Sequence, residues 1–483
     1  MNKFKTLIYF SLFLAFCLSA CNKDDFEDKD KDKEEEEEIT PATAQNILVN
    51  NWINDIMPVY YLWESTLPRP LIEQRGDPEE YFYDILHVND KWSFITDDFE
   101  EYFSGFQGSP TSMGYSPAFY LYNDSENLMI VVKYVYANSP AKNAGLKRGD
   151  IILKINDNWL TPENYYNLYS LQSYTTELAT LEGSTLNLTG ETIQLTAQII
   201  ETNPVLYHNT YNYNGKEIGY LVYSSFLAGK NDFLLDKLDE VFSDFMSKGI
   251  TELVVDLRYN NGGDMRAATH LASALVPKST AQPDDIFLKK VHNQILTNYF
   301  IQTQGPESAE LFVKFKESNT NLNLNEIYFM TTSGTASASE AVIAGLMPYI
   351  NTTLIGTNTN GKYTGMYVID DTENPARHNY GIMPVTFKYQ NTDGYSDFDN
   401  GIPVDYEIID DLFNALPFGD PADPMLAKAI ELITGEVVIA AKSQAIRPNI
   451  IPIQPQKFDI MNNLWEIKKS ELIPSLINHN SIQ

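Results

Sequence analysis

Apolar positions along the chain fall into three regimes. From residue 42 to about 107, Ile47, Trp52, Ile56, Tyr60 and Trp63 recur about once per helical turn, and Thr66-Leu67-Pro68-Arg69-Pro70 stops them. This spacing predicts a helical N-terminal region whose aromatic stripe packs against a core rather than holding a ligand. Around Gly114 the pattern changes to short alternating runs such as Leu128 to Val135, separated by Gly and Pro turns as far as Ile200, which predicts a small β-rich module. From Gly215 onward strand and helix patterns alternate. The expected elements are a strand over 218–223, a helix over 232–247, a strand over 253–257, a helix over 265–275, a strand over 326–331 and a helix over 337–347. Strands joined by helical crossovers imply an α/β layer with a mainly parallel sheet. After Ile433 comes a Pro- and Ile-rich tail, 436–483, to which the pattern assigns no role.

The first residues follow none of these regimes. Lys3 and Lys5 precede an apolar run, Leu7 to Leu18, too short to span a bilayer and followed by small residues, as in a secretory signal. Leu18-Ser19-Ala20-Cys21 resembles a bacterial lipobox, which implies cleavage before Cys21, acylation of its thiol and anchoring to a lipid bilayer without a spanning helix. Residues 23–38 carry eleven acids and four lysines with only Phe26 to bury, so they read as a solvated tether. Asn22-Lys23-Asp24-Asp25 also resembles the export signal of surface lipoproteins in Bacteroidetes. That resemblance favours the cell surface over the periplasmic face of the outer membrane.

Charge and rare residues remove several function classes. The 34 Lys and Arg against 65 Asp and Glu give a net charge of −31, which repels phosphate backbones and argues against nucleic acid as a partner. The two cysteines, Cys17 and Cys21, both precede any folded segment, so disulfide scaffolds, thiolate metal sites and cysteine nucleophiles drop out. The six histidines are scattered and include no HExxH, which disfavours a histidine-bound zinc hydrolase. No metal or organic cofactor is implied.

Ser139-Pro140-Ala141-Lys142-Asn143-Ala144-Gly145-Leu146-Lys147-Arg148-Gly149-Asp150-Ile151-Ile152-Leu153 resembles the helix, turn and strand of a bacterial PDZ domain. PDZ domains bind a peptide C-terminus by strand addition, and the matching carboxylate loop here is Met113, Gly114 and Tyr115, followed by Ser116-Pro117. That loop departs from the glycine-rich pattern, and Pro117 has no N–H to donate.

Three further segments bear chemistry. Leu253-Val254-Val255-Asp256-Leu257 runs into Arg258-Tyr259-Asn260-Asn261-Gly262-Gly263, a buried strand ending in a turn where backbone amides can approach a substrate closely. Thr331 to Ala341 is a small-residue loop before a helix; read alone, Ser337 and Glu340 form a capping box there. Gly361-Lys362 follows 25 positions after Ser337. Together these segments resemble the C-terminal processing, or tail-specific, serine protease family, and the likeness runs in order over most of residues 45–410. The resemblance implies an α/β core of the crotonase-like ββα type. It makes Ser337 the nucleophile and Lys362 the general base, with the N–H groups of Ala338 and of Gly262 or Gly263 as the oxyanion hole and Glu340 as a supporting residue. Asn391 to Ser396 and Gly401-Ile402-Pro403 resemble the family's substrate-side strand and loop.

Two positions depart from the family. Met366 stands where many members carry a glutamine that orients the lysine, and a thioether cannot replace an amide; Thr364 is a candidate to do so instead. Tricorn-like relatives activate serine with a histidine from an Asp-x-His-Ser/Thr segment, whereas this chain reads Asp90-Lys91-Trp92-Ser93, so the lysine route is favoured. A lysine accepts a proton only when neutral, and with a free pKa of about 10.4 it must be disfavoured as a cation by its surroundings.

The expected organisation is a signal peptide (1–20), a lipidated Cys21 with its acidic linker (21–41), a helical N-terminal region (42–107), a PDZ-like domain (108–203), a protease core (204–435) and the tail (436–483). The expected function is a membrane-anchored, extracytoplasmic serine endopeptidase acting on polypeptides through an acyl-enzyme. Its rival is a catalytically silent, peptide-binding surface lipoprotein that keeps the fold. A glycan-binding lipoprotein rests only on the aromatic content, which packing explains better. Substrate preference and oligomeric state are not specified by the sequence.

Overall fold

The computed structural model describes residues 43–68, 76–99, 111–122, 127–183, 185–371, 376–442, 449–453 and 468–469. The signal segment, Cys17, Cys21 and the acidic stretch lie outside them.

The first helix, Ala44–Tyr60, starts where Thr43 accepts the Asn46 N–H, and buries Val49, Trp52, Ile53, Ile56, Met57 and Tyr60 along one stripe. Asp77 caps a second helix, Pro78–Asp84, by accepting from Glu79 and Glu80. The region is not helical throughout, however. Trp63 lies beyond the helix, stacked on His87, and Phe94–Thr96 is a strand paired antiparallel with Gly381–Met383.

The β-rich module is an antiparallel sheet of Tyr115–Tyr122, Asn127–Val135, Ile151–Ile155, Ser173–Glu182 and Thr185–Thr196 in that order, with short helices Pro140–Asn143 and Tyr165–Tyr169. Its core is Ile130, Val132, Leu146, Ile152, Ile155 and Tyr174. The other face, with Met129, Val131, Ile151 and Leu153, packs on Leu412 of the α/β part. Arg148 bridges the same boundary, donating to Leu416 O (3.2 Å), Lys133 O (3.0 Å) and the Asp410 carboxylate (3.3 Å). Burial alone would raise the Asp410 pKa, but Arg258 and Arg148 outweigh it and hold the carboxyl below its ordinary range.

In the α/β part, Lys216–Tyr223, Glu252–Asp256, Glu326–Thr331, Asn351–Gly356 and Tyr406–Glu407 pair in parallel, with Val205–Tyr213 antiparallel at one edge. Because strand side chains alternate, Tyr220, Val254, Tyr328 and Met330 meet the helix Pro424–Thr434 on one face. Leu221, Val255, Ile327 and Phe329 meet Phe233–Lys248, Met265–Leu275 and Ala338–Leu346 on the other. The helix–strand alternation read from the sequence corresponds to this layer. A second sheet was not expected: Phe94–Thr96, Gly381–Met383, Thr364–Asp370, Val385–Gln390, Ile286–His292 and Phe312–Lys314 pair antiparallel, and Lys468–Lys469 of the tail adds in parallel beside Thr364–Asp370.

Candidate active site

The parallel strand Glu252–Asp256 leads into Leu257 to Gly263, and the next strand, Glu326–Thr331, leads into Thr332 to Ser337; sheet order sets the two loops side by side. Asn260, fully buried, ties them together. Its Nδ2 donates to Tyr223 O, its Oδ1 accepts the Gly262 N–H, and its carbonyl accepts the Ala336 N–H and the Ser339 hydroxyl, at 2.9 to 3.1 Å. Thr335 Oγ1 adds a bond to Leu257 O (2.8 Å). Sequence reasoning took Asn260 only as part of a turn.

Ser337 stands at φ 54°, ψ −113°, directly before the helix Ala338–Leu346. Positive φ is uncommon for a residue with a Cβ and costs about 1–3 kcal/mol, so it persists only where the surroundings enforce it. Here they do. Gly262 lies so near that a Cβ added to it would sit 2.8 Å from Ser337 Cβ and 2.9 Å from Ala338 N, and its own φ of +106° is open only to glycine. Of the two glycines, Gly262 has its N–H bonded to Asn260. Gly263 is bridged in parallel to Phe226 through its neighbours' groups, Phe226 N–H to Gly262 O and Asp264 N–H to Phe226 O, so its own N–H faces the opposite side. Ala338, at the first helical position, carries one of the amides that no turn of its own helix can use.

Glu340 joins the Ser337 and Lys362 segments. Fully buried, it accepts Thr359 Oγ1–H (2.5 Å) and Gly361 N–H (2.6 Å) at Oε1, and the N–H groups of Ser337 and Lys362 at Oε2, both at 2.9 Å. Two backbone nitrogens 25 positions apart thus share one oxygen. Burial pushes the Glu340 pKa up to about 6, against the pull of those four donors. The capping box read from the sequence is present, and its carboxylate also grips the lysine loop. Gly361 (φ +98°) allows that loop to pass Asp399 O, which a Cβ would meet at 2.6 Å.

Lys362 is 3% exposed, and its Nζ lies over the Trp92 ring, 5.2 Å from the centroid. Trp92 is the residue at which the sequence reading looked for a histidine and found none. Asp90 holds it there by accepting the N–H groups of Trp92 and Ser93 (both 2.9 Å) and the Tyr61 hydroxyl (2.8 Å). The N-terminal region therefore supplies a wall of the site. Met366 is buried in the apolar core. Thr364, one strand repeat from Lys362, is buried, and among the described residues its Oγ1 has no hydrogen-bond partner.

In the PDZ-like loop, Met113, Gly114 and Tyr115 are all buried. The Gly114 N–H donates to Ser112 Oγ (3.0 Å), Gly114 O accepts the Tyr136 N–H, Met113 O accepts the Ala141 N–H, and the Tyr115 and Tyr174 hydroxyls pair at 2.9 Å.

Family models match in the order of the architecture: the peptidase S41 N-terminal domain over 49–94, a PDZ domain over 131–165 and peptidase family S41 over 217–408. These matches and the architecture give the chain the S41 protease fold, with an N-terminal helical domain, a PDZ domain and a mixed α/β catalytic sheet. It is 26% identical over 316 residues to a carboxyl-terminal-processing protease of Synechocystis, covering 64% of this chain and 66% of that protein. It is 23% identical over 318 residues to a chloroplastic C-terminal processing peptidase of Tetradesmus obliquus, covering 63% and 61%. The matched stretch is thus just under two thirds of either relative. A crystal structure of a candidate S41 protease from Bacteroides fragilis superposes with a TM-score of 0.64 at 26% identity, over 80% of this chain and 97% of that one.

Proposed function

We propose that the chain is a serine endopeptidase acting through Ser337 and Lys362. The observation that carries this reading is the pair of bonds from Ser337 N–H and Lys362 N–H to one Glu340 oxygen, beside a nucleophile held at positive φ. Ser337 Oγ attacks the peptide carbonyl while its proton passes to neutral Lys362 Nζ. The oxyanion develops toward the N–H of Ala338 and a glycine amide of the Gly262-Gly263 turn. The C–N bond breaks, the departing amine takes the proton from Lys362, and water attacks the acyl-enzyme with Lys362 again as base. Ser337→Ala tests this: cleavage of an unstructured polypeptide and labelling by a serine-directed phosphonate should both vanish while the unfolding midpoint is retained. Cleavage that survives the substitution would refute it.

The same proposal places the enzyme on a membrane through acylated Cys21, exported to the cell surface by Asn22 to Asp25. The lipobox-like Leu18-Ser19-Ala20-Cys21 and the acidic tether support it. Cys21→Ser should release the protein from the membrane fraction; unchanged fractionation and lipid labelling would exclude the anchor.

A further inference from the structure

The tail to which the sequence pattern gave no role contains a strand, Ile450–Ile453, that lies antiparallel against Tyr115–Tyr122, with Ile450 opposite Tyr122, Ile451 opposite Leu121 and Ile453 opposite Phe119. Without it, Tyr115–Tyr122 would be the open edge of the PDZ-like sheet. That edge is flanked by the helix Tyr165–Tyr169, since Phe119 meets Tyr165 and Tyr169 edge-on at 5.2 and 5.8 Å. Ile453 packs into the same apolar cluster as Phe119, Tyr165 and Leu168. Ile450 packs on the opposite face, among Tyr120, Tyr122 and Phe413. The tail thus lies where a PDZ domain adds a peptide strand.

We propose that this groove is a binding site for an extended apolar segment internal to a chain, and that Ile450–Ile453 occupies it in cis, so that a substrate segment must displace the tail to bind. Three observations carry the assignment. The occupant is not a terminus: 30 residues follow Ile453. The loop that would cradle a carboxylate has the Gly114 amide bonded to Ser112 Oγ, and Pro117 has no N–H. The hold is also short and partly solvated. It spans four residues, Ile451 is 55% exposed, and Pro452 brings no N–H to the ladder. A tethered ligand acts at an effective concentration on the order of millimolar, so such a segment masks the groove without closing it permanently.

The test reads binding rather than cleavage, so it stands apart from the peptidase reading on which the word substrate rests. A fluorescent peptide of sequence Asn449–Pro455, as free acid and as amide, is titrated into the full chain carrying Ser337→Ala, with and without Ile453→Asp. The release variant should bind at least about tenfold tighter, with acid and amide alike. Equal affinity with and without Ile453→Asp, or binding of the free acid alone, would overturn the proposal. A second arm does not depend on weakening the tail. In a chain with Cys17 and Cys21 replaced by serine, Leu121→Cys and Ile451→Cys stand directly opposite, within disulfide reach for an antiparallel pair. The oxidised form should not bind the peptide and reduction should restore native binding; unchanged binding on oxidation would again overturn it.

Discussion

Replacing Glu340 with glutamine keeps the side-chain volume and one acceptor oxygen but turns the other oxygen into a donor. If the oxygen stays toward Thr359 and Gly361, the amide nitrogen faces the N–H groups of Ser337 and Lys362, and two buried donors lose their acceptor. At about 1–3 kcal/mol each, the loss is roughly 2–6 kcal/mol. Against it stands the removal of a buried charge. The rise of the Glu340 pKa from 4.5 to about 6 corresponds to roughly 2 kcal/mol. The net cost of about 0–4 kcal/mol is small beside the 5–15 kcal/mol of a typical domain, yet it falls on the two amides that tie the Ser337 and Lys362 segments to one oxygen, the proposed nucleophile and base. A misplacement near 1 Å lowers a rate about 100-fold. Glu340→Gln should therefore lose about two orders of magnitude in kcat, with KM little changed and an unfolding midpoint lowered by only a few degrees. The acid arm of the pH dependence has a definite sign. Because the folded pKa is raised, the stability this carboxyl contributes is present below about 4.5 and lost as pH rises through about 6, a slope absent from the variant. Peptide cleavage and thermal unfolding on the same preparations decide the matter. Wild-type kcat in Glu340→Gln, or a loss no larger than the unfolded fraction, would refute the reasoning.

Lys362→Arg should be as inactive as Lys362→Met, since a guanidinium stays protonated, and the wild-type rate should rise with pH as the amine loses its proton; activity in Lys362→Met would assign the base elsewhere. Gly262→Ala should lower kcat by at least about 100-fold, because the new methyl would sit 2.8 Å from Ser337 Cβ; kinetics near wild type would mean that the turn is not a wall of the site. Arg148→Ala removes a nearly buried side chain bonded to Lys133 O, Leu416 O and Asp410, which leaves Asp410 with Arg258. It should cost about 1–3 kcal/mol in denaturant unfolding and loosen the PDZ-like module first, read by hydrogen exchange; uniform protection would place the effect elsewhere.

What the sequence made legible was whatever one element states by itself. The helix–strand alternation from Lys216 to Leu346 is visible because burial on both faces of a parallel sheet leaves near-continuous apolar strands between amphipathic helices. Ser337 and Lys362 were legible as motifs, not as geometry. The pairing of Phe94–Thr96 with Gly381–Met383 joins segments nearly 290 positions apart, and neither short run carries a period long enough to announce a partner. Asn260 illustrates the same limit, since its type suits a turn, and its bond to Gly262 is local, while three further hydrogen bonds reach Tyr223, Ala336 and Ser339. Trp92 was read as the absence of a histidine, and its place over the lysine depends on an Asp90 turn docked from another part of the chain.

These long-range ties also bear on why the site is built as it is. Ser337 at positive φ costs about 1–3 kcal/mol, and the burial of the Glu340 carboxylate roughly 2 kcal/mol more. Both costs bear on the same few atoms, and both would fall if the loop relaxed into an ordinary helix start. Three contacts oppose that relaxation: the Asn260 carbonyl bonded to Ala336 and Ser339, the close approach of Gly262 to Ser337, and the Glu340 oxygen shared with Lys362. A chain that only held peptides in a groove would need neither the strained serine nor a shared oxygen between its amide and that of Lys362. The arrangement has a physical purpose if the Ser337 hydroxyl must be presented to a carbonyl while its proton has an adjacent acceptor, which is the requirement of acyl transfer.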